Sequence, residues 1–546
     1  ILDWLSFKQM VTFQYTGLKL NSFLPYSAIG ADWLDPDINV AEEGNNVNRN
    51  FRTETQLALN SPFKNRNHEL SGAFTWSIDQ SGFERMSIES NKIPSVDLLD
   101  PSVNAMLDRT QIRTTTQEVR LISSINTLNY KAYDRYLLQG VLTADAHSSF
   151  GSNNRWGLFY GLSAGWRFSS EPFMRPLNRW VGESMLRISY GTSGVQPRDP
   201  YARFATYTTV PGGGSYILNP AIEPARPQLN NLQWATVTSW DIGLELNLLG
   251  NRIYLEGDIY ERETSNMLFR RYQIPYSSGF NRFEYLNGGL LTNRGWELMS
   301  DFQIIRSRNW LWSVFFNTAR NSNTFNVLPD NFNTESSTSI ANGEYPRRVV
   351  EGEPIGSFFG FRYLGVWPSD DDVFARDANG NIIVDSEGKA VPLQYRNSYI
   401  YKGGDPIYQD LNHDGKIDIN DVEYLGDSNP DFIGGFGTGL RYKGFNLNVA
   451  FHYRLGFVIV NQVAIQTEGM NDRNNQSKAT LYRWRKQGQD EEGMLPRAYL
   501  NHPASNLGSD RYVEKGDFIR LNNITLSYRV PQEICRKMRV RKLNVA

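Results

Sequence analysis

Apolar and polar residues alternate along the stretch Phe445-Asn-Leu-Asn-Val-Ala-Phe-His-Tyr453, with only Ala450 out of step. Phe436-Gly-Thr-Gly-Leu-Arg-Tyr442 precedes it in the same style, across Lys443-Gly444. Two alternating stretches joined by a two-residue turn predict a β-hairpin. The apolar set is rich in aromatic residues, whereas the other set consists mainly of Asn, Gly, His and Arg. This division predicts a sheet with hydrocarbon against one face and water against the other.

Similar pairs of alternating stretches predict three further hairpins. They are 51–59 with 70–78, 240–248 with 253–259, and 296–304 with 311–318. Short turns alternate with long polar links, a layout typical of outer-membrane barrels, whose long loops lie outside the cell. The sequence therefore predicts an all-β chain that forms a transmembrane antiparallel β-barrel.

A large soluble β-sandwich, or several of them, is the alternative fold. Mean hydropathy is −0.48, and no run of about 18 apolar residues occurs, which excludes a transmembrane helix. Sandwich strands average about 5–6 residues, whereas the alternating stretches run for about 9–11 residues, as tilted membrane strands require. Strand length therefore favours the barrel.

The balance of charge argues against nucleic acid as a partner. The 546 residues carry 56 basic and 58 acidic side chains, a net charge of −2, so no overall positive field attracts a phosphate backbone. One cysteine, Cys535, excludes an intrachain disulfide framework and a zinc cluster. No nucleophile motif and no carboxylate pair can be assigned to acid–base work, so the sequence predicts no enzyme.

Three long links are expected to be functional, because links of this length are rarely passive. They cover about 321–355, 367–431 and 460–515. The segment 356–365 reads as a strand, although an even number of membrane strands must lie between 311–318 and 432–442. Either this segment has an unrecognised partner, or it belongs to an outer loop.

Two sets of side chains are candidates for contact with substrate or water. The aromatic residues of the long links could stack on sugars or peptides, or could simply pack the loops: Trp367, Tyr395, Tyr399 and Tyr401. The acidic residues of the central strands are predicted to face water inside the barrel: Asp241, Glu245, Glu256, Asp258, Glu297 and Asp301.

One stretch, Asp410-Leu-Asn-His-Asp-Gly-Lys-Ile-Asp-Ile-Asn-Asp421, has the spacing of an EF-hand-type calcium loop. Its oxygen ligands would be Asp410, Asn412, Asp414, the carbonyl of Lys416, Asp418 and Asp421. Gly415 occupies the position of the sharp turn. The last ligand is Asp rather than Glu and no helix is evident before the loop, so a polar turn without metal is the alternative. A bound Ca²⁺ would brace an outer loop.

Several segments share their residues and order with one known family. They include Asn129-Tyr-Lys-Ala-Tyr-Asp-Arg-Tyr-Leu-Leu138, Phe150-Gly-Ser-Asn-Asn-Arg-Trp-Gly-Leu-Phe159, Leu186-Arg-Ile-Ser-Tyr-Gly-Thr-Ser-Gly194, Gly426-Asp-Ser-Asn-Pro-Asp-Phe432 and Phe518-Ile-Arg-Leu-Asn-Asn-Ile-Thr-Leu526. Together they resemble the SusC/RagA family of TonB-linked (TonB-dependent) outer-membrane transporters along nearly the whole chain. The chain departs from the family at Ala144-Asp-Ala-His-Ser-Ser149 and at Trp234-Ala235, where altered contacts at the rim are expected.

The resemblance implies a barrel of about 22 strands, roughly twice as long as this chain, with a plug inside the lumen. In the family the N-terminal plug carries the segment that contacts TonB, and a SusD-type lipoprotein lies over the outer mouth. Residues 1–546 are expected to be barrel wall, with the plug and the last closing strands missing. The implied location is the outer membrane of a Gram-negative bacterium of the Bacteroidota type.

The function that the resemblance implies is TonB-energised import of a bulky nutrient, an oligosaccharide or a peptide. The implied partners are the SusD-type lipoprotein, TonB through the missing plug, outer-membrane lipid and the substrate. The alternative is a structural or scaffolding barrel within a larger envelope complex, which needs neither substrate nor TonB.

Overall fold

The computed structural model of this chain consists mainly of strands. It describes residues 3–29, 39–61, 67–95, 97, 99–103, 110–209, 221–280, 282–329, 335–337, 340–502 and 504–545. The helices are short: α1 (Tyr26–Ile29), α2 (Gln462–Glu468) and α3 (Gln532–Lys537). Turns of 3-10 helix cover Pro101–Val103, Phe168–Ser170, Pro172–Leu177, Tyr276–Ser278, Asp370–Asp372, Ile419–Asp421, Lys478–Tyr482 and Asp510–Tyr512. Among the described residues, no helix combines the length and the apolar character needed to cross a bilayer.

The strands differ widely in length. The first in chain order are β1 (Leu5–Leu24), β2 (Val40–Asn60), β3 (His68–Ser90), β4 (Thr110–Ala132), β5 (Tyr136–His147), β6 (Trp156–Trp166), β7 (Met185–Val195), β8 (Thr206–Thr209) and β9 (Ile222–Arg226). Next come β10 (Ala235–Leu248), β11 (Ile253–Gln273), β12 (Arg282–Arg306), β13 (Trp310–Val327), β14 (Glu335–Ser337), β15 (Arg347–Arg348), β16 (Ser357–Gly360), β17 (Tyr363–Val366), β18 (Gln394–Tyr395) and β19 (Tyr399–Ile400). The last are β20 (Pro406–Tyr408), β21 (Lys416–Ile417), β22 (Glu423–Asp427), β23 (Phe432–Tyr442), β24 (Phe445–Leu455), β25 (Val458–Val460), β26 (Val513–Lys515), β27 (Phe518–Arg529) and β28 (Asn544–Val545).

One 15-stranded sheet contains all of the long strands, in the order β1-β2-β3-β4-β5-β6-β7-β10-β11-β12-β13-β23-β24-β27-β28. Apart from β28, the short strands form separate small ladders within the connections. By internal contacts the chain divides into two compact units. Unit 1 comprises Ile1–Arg175, Met185–Ile242 and Glu263–Gly288, and unit 2 comprises Pro176–Ser184, Gly243–Arg262 and Gly289–Ala546.

In unit 2, neighbouring rows of paired residues alternate between apolar and polar character. Trp312, Leu440, Leu447 and Leu526 are paired across four strands and form an apolar row. Ser313, Gly439, Asn448 and Thr525 form the next row, which points to the opposite face. The pairing of Tyr442 with Phe445 confirms the predicted hairpin. Lys443 supports the tight turn with a φ of 50°.

Unit 1 has the same two-faced pattern. Leu128, Gly140, Leu162 and Tyr190 lie in one row, and Asn129, Gln139, Ser163 and Ser189 lie in the next. The predicted hairpin of 51–59 with 70–78 is present within the longer pair β2–β3, where Leu57 pairs with Phe74. Part of its predicted turn, 62–66, lies outside the described residues.

Within the described residues, no second sheet covers the apolar faces of the long strands. Leu244 is 40% exposed and Phe445 is 49% exposed, while Trp240 and Phe451 are half-buried. A β-sandwich would bury these side chains between its two sheets. The sandwich alternative is therefore wrong.

The segment 356–365 does not cross with the long strands. Its two short strands pair elsewhere, β16 with β22 and β17 with β20, while β13 pairs directly with β23. The segment therefore belongs to the connection between β13 and β23, as the second possibility holds, and the outer position of that connection stays a prediction. The predicted start of the preceding link at 321 is wrong, because β13 continues to Val327.

Candidate functional site

The two longest connections fold together into one unit of structure. The connection 328–431 joins β13 to β23, and the connection 456–517 joins β24 to β27; we call them together the connection module. Both contribute side chains to a single hydrophobic core. Its buried members are Ile340, Phe359, Phe361, Val373, Leu393, Tyr395, Tyr401, Tyr408, Ile417, Val422, Ala504 and Leu507.

The two connections approach each other closely at two glycines. Phe361 N donates to Gly508 O over 2.9 Å. A Cβ at Gly360 would lie 2.5 Å from that same carbonyl oxygen, so only glycine fits there. Gly404 has a φ of +87°, and a Cβ there would lie 2.5 Å from the Trp484 ring. These contacts show why the sequence has glycine at the seam between the connections.

A buried ion pair also joins the two connections. Arg497 Nε donates to Asp405 Oδ1 over 2.8 Å, and the Asp405 side chain is almost fully buried. Tyr399 Oη donates to Asp405 Oδ2 and accepts from Arg497 Nη2, each over 2.7 Å. The backbone N–H of Lys402 donates to Asp405 Oδ2 over 2.9 Å. The carboxylate is thus fully hydrogen-bonded, as a buried charge must be.

The aromatic residues singled out from the sequence pack the module. Tyr395 and Tyr401 are buried in its core, and Trp367 and Tyr399 pack against it half-buried. The stacking interpretation is therefore wrong for Tyr395 and Tyr401, and the packing alternative is correct. Burial raises the pKa of the Tyr401 hydroxyl well above its ordinary value, so this phenol stays neutral.

The predicted calcium loop forms a compact turn whose side-chain oxygens point back to its own backbone. Asp410 Oδ2 accepts from Gly415 N over 2.9 Å, and Asp414 Oδ1 accepts from Lys416 N over 2.8 Å. Asn412 Oδ1 accepts from Asp414 N over 3.1 Å. Gly415 has a φ of +79°, as the predicted sharp turn requires.

The end of this loop is held to its beginning by one carboxylate. Asp421 Oδ1 accepts from Leu411 N, and Asp421 Oδ2 accepts from Asp418 N, each over 2.9 Å. Burial, with a smaller contribution from the nearby charge of Asp410, raises the pKa of Asp421 to about 6. Burial likewise raises the pKa of Asp410. Across the described residues, no three His, Cys, Asp or Glu side chains form a metal-holding group, so a cation would also need Asn412 and a carbonyl.

Each unit has a cavity against the polar face of its strands. The cavity of unit 1, about 560 Å³, is lined by charged residues of both signs, including Glu69, Lys131, Arg187 and Asp241. The cavity of unit 2, about 610 Å³, is lined by Glu256, Asp258, Glu297 and His452. The predicted water-facing acids therefore lie on the polar face. Glu245 and Asp301 are an even number of positions from Asp241 and Glu297 on the same strands, so their side chains point to this face as well.

A smaller aromatic core in unit 1 contains the residues at which the chain departs from the family pattern. Phe150 and Trp234 pack with ring centroids 4.3 Å apart. His147 contacts both rings edge-on, at 6.1 and 6.2 Å. Trp234 Nε1 donates to Arg155 O over 3.1 Å. His147 and Trp234 thus belong to one packed aromatic cluster at a connection, and the altered rim contacts stay a prediction.

The matching family model is described as "TonB dependent receptor-like, beta-barrel", and it matches residues 2–385. The chain belongs to this family. The two-faced sheet is therefore the wall of a TonB-dependent receptor barrel, and its apolar rows face the lipid of the outer membrane.

The curated relatives are receptors of the same kind. TonB-dependent receptor P39 of Formosa agariphila is 27% identical over 96% of this chain and 50% of its own length. TonB-dependent receptor SusC of Bacteroides thetaiotaomicron is 25% identical over 75% of this chain and 38% of its own length. The chain thus spans about half the length, or less, of the curated relatives it matches.

Among solved structures, the RagAB peptide transporter aligns with the whole chain at a TM-score of 0.75. It is 19% identical, and the chain covers 57% of it. This likeness and the SusC match confirm the SusC/RagA resemblance and the barrel fold. The predicted outer-membrane location in Bacteroidota is confirmed as well.

The buried pair gives a direct test of the module. We expect Asp405→Asn to destabilise it by about 3 kcal/mol or more, because Arg497 is left with an unbalanced charge. Asp371→Asn makes the same change at an exposed residue of the module and is expected to cost under about 0.5 kcal/mol. The measurement is protease cleavage within 328–431 against urea concentration, with barrel folding followed by heat-dependent gel mobility. Equal midpoints for the two variants would show that the pair does not hold the connections together.

Proposed function

We propose that the chain forms the wall and the outer gate of a TonB-energised importer for a bulky nutrient, an oligosaccharide or a peptide. A SusD-type surface lipoprotein covers the connection module, and TonB acts through a plug domain. The observation that carries the proposal is the packing of two long connections into one module at the same end of the strands. A rigid, preformed surface suits a lid partner better than separate loops do, because less chain entropy is lost on binding.

The surface of the module also favours a bulky polar substrate. Tyr482 and Tyr499 expose their rings, and the Arg497 guanidinium lies 5.2 Å from the centroid of the Tyr499 ring. Exposed aromatic rings can stack on a sugar face or on a peptide side chain. The likeness to a peptide transporter supports a peptide, and the exposed rings fit either class. The proposed role is transport, and the proposal assigns no catalytic residues.

The import proposal predicts a nutrient-specific defect. We expect deletion of the gene to abolish growth on at least one glycan or peptide source while growth on its monomers persists. The wild-type gene is expected to restore growth, and Arg497→Gln to restore it poorly because the module loosens. Arg473→Gln, at an exposed position of the same module, serves as the matched control and is expected to restore growth fully.

Two readouts locate the defect. A surface lipoprotein is expected to copurify with the wild-type protein and to be depleted with Arg497→Gln, at equal amounts of folded barrel. If the deletion strain grows normally on every polymer tested, the import proposal is wrong and the scaffolding alternative gains support.

The loop 410–421 is proposed to bind Ca²⁺ and to brace the module. Asp410, Asn412, Asp414, Asp418 and Asp421 supply side-chain oxygens, and Lys416 supplies its carbonyl. Burial, and to a smaller extent the charge of a neighbouring carboxylate, raises the pKa of Asp410 and of Asp421. A bound cation would offset both the burial and the repulsion.

Calcium dependence is measured on the purified full-length protein. We expect Ca²⁺ to slow protease cleavage near the loop relative to chelator, and Asp414→Asn to weaken this response by about tenfold or more because one ligand charge is lost. Asp385→Asn is the matched control. Asp385 Oδ1 also accepts from backbone N–H groups of its own turn, those of Glu387 and Lys389, each over 2.9 Å. That turn lacks the ligand spacing of a calcium loop. Identical cleavage of the wild-type protein in Ca²⁺ and in chelator would contradict the calcium proposal.

A further inference from the structure

The short-turn end of unit 2 carries a concentration of exposed positive charge. The side chains come from the β12–β13 turn, the β23–β24 turn and the segment between β27 and β28. They are Arg306, Arg308, Lys443, Arg529, Arg536, Lys537, Arg539, Arg541 and Lys542, and we call them the basic rim. The segment 529–545 contains a single acidic residue, Glu533. No ion pair with another described residue neutralises any member of the basic rim.

The three parts of the basic rim are joined through their backbones. Lys443 N donates to Asn309 O over 2.9 Å, and Arg529 N donates to Gly444 O over 2.8 Å. Val530 N donates to Leu543 O over 3.0 Å and closes the segment that contains α3. The three segments that carry the positive side chains therefore lie side by side.

Apolar side chains lie among these charges. Ile534, Met538 and Val540 are 47%, 55% and 40% exposed. Cys535 is buried, and its Sγ lies 3.6 Å from Val530 O, so one residue of α3 anchors the segment. Exposed apolar and basic side chains on one short segment are typical of elements that lie in the headgroup region of a membrane.

An aromatic belt marks the level of the headgroups directly beside the basic rim. Trp310 packs on Tyr442 with ring centroids 4.1 Å apart, and Phe445 packs on Tyr528 at 4.5 Å. Lys443 Nζ lies 5.2 Å from the centroid of the Tyr442 ring. Aromatic girdles of outer-membrane barrels lie at the membrane–water interfaces, so the basic rim begins where the phosphates of the lipid are found.

We propose that the basic rim binds the headgroups of anionic phospholipids in the periplasmic leaflet. Short turns of outer-membrane barrels face the periplasm, and positive side chains near a bilayer attract anionic headgroups. The lipid-facing side chains of β27 end at Tyr528, directly before Arg529 of the basic rim. One phospholipid can therefore contact β27 with its acyl chains and the basic rim with its phosphate. The proposal rests on the outer-membrane location and not on the import function.

The test measures lipid retention by the full-length protein in detergent. Phosphatidylglycerol and phosphatidylcholine with the same acyl chains are added, and bound lipid is counted by native mass spectrometry. We expect the wild-type protein to retain several-fold more phosphatidylglycerol than phosphatidylcholine. The variant with Arg536→Gln, Lys537→Gln, Arg539→Gln, Arg541→Gln and Lys542→Gln is expected to lose this preference.

A matched control neutralises five exposed cations of the connection module: Lys389→Gln, Lys402→Gln, Arg473→Gln, Lys478→Gln and Lys486→Gln. It is expected to keep the preference for phosphatidylglycerol. Folding of the rim variant with five substitutions is judged by heat-dependent gel mobility. If that variant fails to fold, the double variant Arg541→Gln/Lys542→Gln replaces it and is expected to reduce the preference for phosphatidylglycerol at least twofold.

Three results would overturn the proposal. One is equal retention of the two lipids by the wild-type protein. Another is loss of the preference in the control as well as in the rim variant. The third is complete displacement of phosphatidylglycerol by millimolar inorganic phosphate, which would identify a simple anion site that does not use the acyl chains.

Discussion

The two-residue period of side chains along hydrogen-bonded strands is the constraint on which the structure depends. In lipid every backbone N–H and C=O needs a partner within the protein, so the strands must pair along their length, and pairing fixes which side chains share a face. The row of Trp312, Leu440, Leu447 and Leu526 beside the row of Ser313, Gly439, Asn448 and Thr525 shows this directly. A shift of one residue between β23 and β24 would carry Phe445 and Phe451 to the polar face.

Once the strands are fixed, the long connections must find stability of their own, because they leave the sheet and lie in water. They do so by sharing one hydrophobic core, to which 328–431 gives most of the buried side chains and 456–517 gives Ala504 and Leu507. Tyr408 Oη accepts from Leu507 N over 2.9 Å, and the Arg497–Asp405 pair crosses the same seam. The module is thus a small soluble structure attached to a membrane sheet, and its core obeys the ordinary rule of apolar side chains inside.

The sequence allowed prediction of the features that have a regular period, and little else. The hairpin of β23 and β24 followed from alternation and a two-residue turn. The true length of β12 did not, because Asn287-Gly-Gly289 interrupts the pattern and Gly289 has a φ of +70°. Strands of two residues such as β18 and β19 carry too little pattern to be recognised. The Arg497–Asp405 pair joins residues 92 positions apart, and no spacing rule could have found it. The calcium loop was found because its ligands are local, and its occupancy stays a prediction.

Odd-numbered side chains of β24 are expected to contact hydrocarbon, and even-numbered ones to face water. Nitroxide labels placed singly at positions 445–452 of the full-length protein in bilayers test this expectation most directly. Relaxation by molecular oxygen, which concentrates in lipid, should be high at 445, 447, 449 and 451. Relaxation by a water-soluble nickel chelate should be higher at 446, 448 and 452. If the two relaxation profiles show no alternation along β24, or if oxygen is excluded from the odd positions, the strand does not cross the membrane as this account requires.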